Sequence, residues 1–279
     1  MKKTILLFST LFCVLIIKAQ KKYIPVTTTI YHKLGDNQIT IKLLQYGNKK
    51  DIAFINLHDN EATSVTATKK LLQTNGGLLI KLENDNKRNI SFRLDGSYYT
   101  FDPNRIFSKV GIRQTLKRFK IINNKAVREV EKFATRILKL FPGELNCVIA
   151  LHNNNEGGFS VKSYLPGSEY GTDAKKVYIN ENLDADDFFL TTDSLLFHQL
   201  VLDKYNTVWQ DNLLVRQDGS LSVYFGEKKI CYLNCETQFG KVKKYEEMLA
   251  AALRYIGAKR YPSASSGEKK SQSEYTTMK

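Results

Sequence analysis

In the stretch DIAFINLHDNE, residues 51–61, an apolar run stops abruptly at His58, Asp59, Asn60 and Glu61. The run is apolar along nearly its whole length, not at every second position, which predicts a strand buried on both faces rather than one at an edge. The segment from Glu61 to Leu72 turns Val65, Leu71 and Leu72 inward and predicts a helix, although its threonines and valine weaken the propensity. Gly76-Gly77 breaks the chain, and LLIKLE at 78–83 predicts the next strand.

The same alternation extends in both directions. Short strands are expected around 27–31 and 39–44, ahead of the central run. NISFRLDGSYYTFDPNRIF, residues 89–107, predicts a strand followed by an irregular loop. From Asn124 to Leu140, Val127, Val130, Phe133, Ala134, Ile137 and Leu138 share one helical face, and Pro142-Gly143 stops the helix. NCVIALH at 146–152 is a second apolar run, and it also ends in a histidine. A strand at 176–179, a helix at 194–204 capped by Thr192 or Asp193, strands at 221–225 and 229–235, and a helix at 242–256 complete the pattern. Strands separated by helices predict one α/β domain over 22–258, with a mixed, mostly parallel central sheet flanked by helices.

The ends read differently. Lys2 and Lys3, an apolar stretch from Leu6 to Ile17 and the small residue Ala19 predict a signal peptide over 1–19. Export to the periplasm or the extracellular space follows, with no transmembrane segment in the mature chain. Residues 259–279, rich in Ser, Gly, Lys and Glu, predict a disordered basic tail. Lys and Arg number 42 against 28 acids, a formal +14. Such a surface suits an anionic neighbour such as cell wall, lipid headgroups or an acidic peptide. Its charges are scattered without a zinc-finger or recognition-helix pattern, so nucleic acid is not expected as a partner. Cys147, Cys231 and Cys235 are too few for a disulfide framework, and Cys231 and Cys235 are expected to be core residues rather than a redox pair.

Three apolar strands end in ionisable residues: His58, His152 and, after CYLNC, Glu236. In open α/β sheets, sites form outside the carboxyl ends of the strands, so these endings can converge. His58 and Glu61, three residues apart, can reach one ion if a helix begins there, and His152 would complete a catalytic zinc set with a position left for water. The plainer alternative stands beside it, because His-x-x-Glu also arises by chance and strand-end histidines also serve as hydrogen-bonded loop residues. His198, inside an amphipathic helix, and His32, without an acidic companion at a useful spacing, offer no comparable pattern.

HDNE at 58–61, FDPNRIF at 101–107, LHNN at 151–154 and NCETQFG at 234–240 occur in an order that resembles the signature of zinc carboxypeptidases and their relatives, the zinc-dependent aspartoacylases and succinylglutamate desuccinylases. The resemblance implies a carboxypeptidase-like fold and zinc held by His58, Glu61 and His152. It implies that Asn104 and Arg105 bind a substrate carboxylate, although Pro103 replaces the leucine usual before the Asn-Arg pair. It assigns Glu236 as general base and acid, and an upstream arginine as the group that polarises the scissile carbonyl; Arg93 is the candidate, with Arg88 and Arg113 as alternatives. Tyr205 and Tyr224 are available for the tyrosine that peptidases of this group place before the glutamate. The implied activity is hydrolysis of an amide in a carboxylate-bearing peptide, with cell-wall peptidoglycan as a substrate suited to an exported protein. N-acyl amino acid deacylation and a non-catalytic envelope-binding module are the alternatives.

Overall fold

The computed structural model describes residues 22–119 and 122–256, so the leader at 1–19 and the tail at 259–279 lie outside the described residues. The first strands are β1 (Pro25–Leu34), β2 (Asn37–Tyr46) and β3 (Ile52–Asn56). Helix α1 (Ala62–Asn75) leads into β4 (Gly77–Glu83), followed by β5 (Ile90–Leu94) and β6 (Ser97–Phe101). Helices α2 (Lys109–Arg118) and α3 (Asn124–Leu138) precede β7 (Cys147–Asn154), β8 (Ala174–Tyr178) and β9 (Phe188–Thr191). The last elements are α4 (Ser194–Leu202), β10 (Thr207–Gln210), α5 (Leu221–Glu227), β11 (Cys231–Gln238) and α6 (Val242–Ile256).

Nine strands form one sheet in the order β1-β2-β4-β3-β7-β11-β9-β10-β8, and β5 and β6 pair separately. Its centre, β4-β3-β7-β11, is parallel throughout. Antiparallel pairs flank it, β1 with β2 and β2 with β4 on one side and β11 with β9 on the other. The expected mixed sheet between helices is therefore present, with its parallel part where the apolar runs lie. Alternation explains why those runs are apolar at every position. Ala53 and Ile55 of β3, with Val148 and Ala150 of β7, pack on α2, α3 and α5, whereas Phe54, Ile149 and Leu151 pack on α1, α4 and α6. Each large side chain buried in either layer contributes on the order of 1.5–3 kcal/mol.

Two local expectations are corrected. Residues 97–101, expected as loop, form β6, because Asp95 and Gly96 both adopt positive φ (50° and 77°) and close a tight hairpin. Residues 221–225, expected as a strand, are helical: Ser220 accepts the Val223 amide at 3.5 Å as an N-cap, and Leu221, Val223 and Phe225 all remain buried. The cysteine expectation also changes in part. Cys147 and Cys231, direct partners on β7 and β11, form a disulfide with a Cα separation of 4.5 Å, while Cys235 is free and buried.

Candidate active site

The strands β3, β7 and β11 run parallel, so their carboxyl ends open on the same edge of the sheet. His58 follows β3 by two residues. Its carbonyl accepts the Glu61 amide at 3.1 Å and the Asn56 side chain at 3.1 Å, which closes the turn and leaves Glu61 at the start of α1. The Glu61 side chain does not cap its own helix; Asn153 of β7 supplies that acceptor instead, taking the Ser64 amide at 3.1 Å. Asn153 also donates to the Thr237 carbonyl at 3.2 Å, so one amide side chain ties α1, β7 and β11 together at the site.

His58, Glu61 and His152 are all buried, and their potential ligand atoms lie within 4.8 Å of one another. The two Nδ1 atoms face each other at 3.3 Å, and each lies 3.0 Å from an oxygen of Glu61. On the far side of the ring, His58 Nε2 bonds Asp102 Oδ1 at 2.8 Å. That contact fixes the ring orientation and leaves Nδ1 directed into the cluster, the pattern by which a carboxylate orients a metal-ligating histidine. Two imidazole nitrogens and a carboxylate oxygen aimed at one point, with one imidazole held from behind, are a donor set that fits zinc. Burial opposes the charge on His58, but Glu61 and Asp102 outweigh it and raise the imidazole to about 9. Both carboxyls are held well below the usual carboxylate range by His58 despite their burial.

Glu236 is the strand partner of His152 across β7 and β11. Its Oε1 accepts from Asn234 at 3.1 Å. Burial pushes its carboxyl up to about 7, His152 opposing the rise and Glu61 adding to it. A cavity of about 490 Å³ brings Glu236 together with Glu61, His152, Arg88, Asp102, Asn104, Arg105 and Tyr164. Arg105 contacts Asp218 at 3.3 Å, and although burial disfavours its charge, Asp218 and Asp102 keep it firmly protonated. Asn104 lines the same cavity, with its Oδ1 accepting the Leu221 amide at 3.3 Å. Asp218 reaches Arg105 because two backbones cross without side chains between them: a Cβ on Gly219 would meet Gly111 Cα at 2.7 Å and the Arg105 carbonyl at 2.8 Å.

Arg93 is not in this cavity. It lies exposed on β5, with its amide bonded to Asp36 at 2.6 Å. Arg88, the alternative in the loop before β5, lines the cavity and places Nη1 against Glu61 Oε1. Arg113 bonds Asn124 at 2.8 Å, away from the site. Tyr205 and Tyr224 pack on Phe189 and Phe107, whereas the tyrosines lining the cavity are Tyr164, Tyr170 and Tyr232. The sequence pattern missed Asp102, although its position directly before Pro-Asn-Arg was in view, and it missed the bridging role of Asn153. His32 and His198 stay outside the cluster, as expected.

A buried His-Glu-His cluster beside a protonatable carboxylate, at the carboxyl ends of parallel strands in an α/β domain, is a metal-hydrolase-like arrangement. Among solved structures, the chain is similar to an aspartoacylase family protein from Mesorhizobium loti, at 13% identity over 86% of this chain and 69% of that one, with a TM-score of 0.46. It is also similar to the apo cell shape determinant protein of Helicobacter pylori, at 11% identity over 83% of this chain, with a TM-score of 0.43. The chain spans 55% of that Helicobacter protein. No family profile and no curated protein matches the chain.

Proposed function

We propose that the protein is an exported, zinc-dependent hydrolase that cuts an amide bond in a carboxylate-bearing peptide, with cell-wall peptides as its substrate class. The observation that carries this reading is the convergence of His58, Glu61 and His152 at 4.8 Å or less, with Glu61 and His152 lining one cavity together with Glu236 and Arg105. A zinc ion held by those three residues would supply Lewis-acid polarisation of water and of the scissile carbonyl. Glu236 takes a proton from the attacking water at its carboxylate and returns it to the leaving nitrogen, a task suited to a carboxyl near neutrality. Arg88 extends its guanidinium to the cavity wall beside Glu61, where it can meet the oxygen that gains charge. Arg105 orients the substrate by its carboxylate, for which a planar guanidinium is better matched than an ammonium. A disulfide between β7 and β11 supports an oxidising compartment, as export requires.

The test is parallel incubation of zinc-loaded protein with peptidoglycan fragments, ordinary peptides and N-acyl amino acids, followed by mass spectrometry. Loss of a C-terminal residue or an internal cut from a carboxylate-bearing peptide supports the proposal. Release of only a small acid would assign a deacylase instead, and no change in any pool would remove the hydrolase reading.

A further inference from the structure

Arg88 belongs to no helix or strand: β4 ends at Glu83 and β5 begins at Ile90. Something other than the sheet must hold it against Glu61, and the contacts identify what does. Asp59, between the two clustered residues of HDNE, turns its side chain away from the cavity. Its Oδ1 accepts from Lys81 of β4 at 2.7 Å, and its Oδ2 accepts the backbone amides of Asn84 at 2.7 Å and Asn86 at 2.9 Å. The turn so gripped contains two consecutive non-glycine residues at positive φ, Asp85 at 50° and Asn86 at 57°. Side chains disfavour that conformation, so it persists where the surroundings over-determine it. Asn84 continues the turn by donating to the Asn89 carbonyl at 2.9 Å, which leaves Arg88 on the limb facing Glu61.

We infer that Asp59 is a positioning residue: its carboxylate ties the His58–Glu61 turn to the 84–88 turn and thereby sets where the Arg88 guanidinium stands. The inference rests on the proposed hydrolase reading for what Arg88 does, but not for where Arg88 is held. Asp59 does not itself line the cavity, so an effect on turnover passes either through Arg88, as inferred, or through the His58–Glu61 turn, and zinc content separates the two.

Two readouts test this on the full chain, with Asp59→Ala and the milder Asp59→Asn, which keeps an acceptor oxygen. The first needs no substrate. Phenylglyoxal modification followed by peptide mass spectrometry should show Arg88 reacting about tenfold faster or more in Asp59→Ala, with Arg105 unchanged, because an arginine freed from a charge-assisted contact is more accessible. An unchanged Arg88 rate overturns the inference even if the protein proves inert as a hydrolase. The second is a double-variant cycle on whichever peptide the wild type cuts. Arg88→Ala should lower kcat about 100-fold, Asp59→Ala about tenfold or more, and the double variant no further than Arg88→Ala alone. Losses that multiply would overturn the inference, as would a fall in zinc content in Asp59→Asn that tracks its fall in kcat. Inert wild type with a faster Arg88 reaction would leave the positioning role standing and remove the hydrolase proposal instead.

Discussion

The His58 ring is gripped at both nitrogens, by Asp102 at Nε2 and by Glu61 at Nδ1, so its orientation is set by the protein itself. Removing the proposed metal ligand and removing its support should therefore differ in degree. His58→Ala should abolish stoichiometric zinc in metal analysis of the purified protein; Asp102→Asn should keep the site but weaken zinc affinity by about 10- to 100-fold in competition with a chelator. Equal zinc in His58→Ala and wild type would remove the assignment. Glu236 stands apart from the cluster as the strand neighbour of His152. Glu236→Gln should retain zinc and fold while turnover drops about 100-fold or more. Near-normal turnover would give the proton transfer to another group. His58, Glu61, His152 and Glu236 could be found in the sequence because each ends or follows an apolar run, and strand ends are where α/β sites form. Arg93 could not be separated from Arg88 in the same way, since both lie near one strand and only the turn held by Asp59 decides which points inward.

The element that braces the site from beneath is α6. Tyr245, fully buried, donates its hydroxyl to the Cys235 carbonyl at 2.7 Å and accepts the His152 amide at 3.1 Å. One phenol thus joins β7 at His152 itself and β11 one residue before Glu236. Tyr245→Phe would leave a buried amide and a buried carbonyl without that partner, at a cost of about 1–3 kcal/mol. Denaturant unfolding with an unchanged slope measures it; an unchanged midpoint would mean that other groups satisfy both. The α6 span is fully legible in sequence because its apolar face repeats at helical spacing over a long segment. Periodicity misleads over 221–225, where Leu221, Val223 and Phe225 alternate like a strand and only the preceding Ser220 cap marks a helix. Short strands such as β9 and β10, four residues each, carry too little pattern to be read without their neighbours.

Across the whole molecule, the site exists only when β3, β7 and β11 are aligned, since each contributes a different group. A metal that binds this arrangement and not the unfolded chain stabilises the fold by about 4 kcal/mol when present at 1,000 times its dissociation constant. Zinc should raise the Tm of the wild type, a chelator should lower it, and His58→Ala should show neither response; a metal-induced rise of the same size in that variant would place the ion elsewhere. The disulfide between Cys147 and Cys231 acts on the opposite side of the same balance. It closes a segment of 84 residues that holds β8, β9, α4, β10 and α5, so it restricts the denatured ensemble. For a loop of that length the loss of chain entropy corresponds to as much as about 4–5 kcal/mol. One device lowers the free energy of the folded state and the other raises that of the unfolded state, so reduction and chelation together should cost the sum of their separate effects in a denaturant titration.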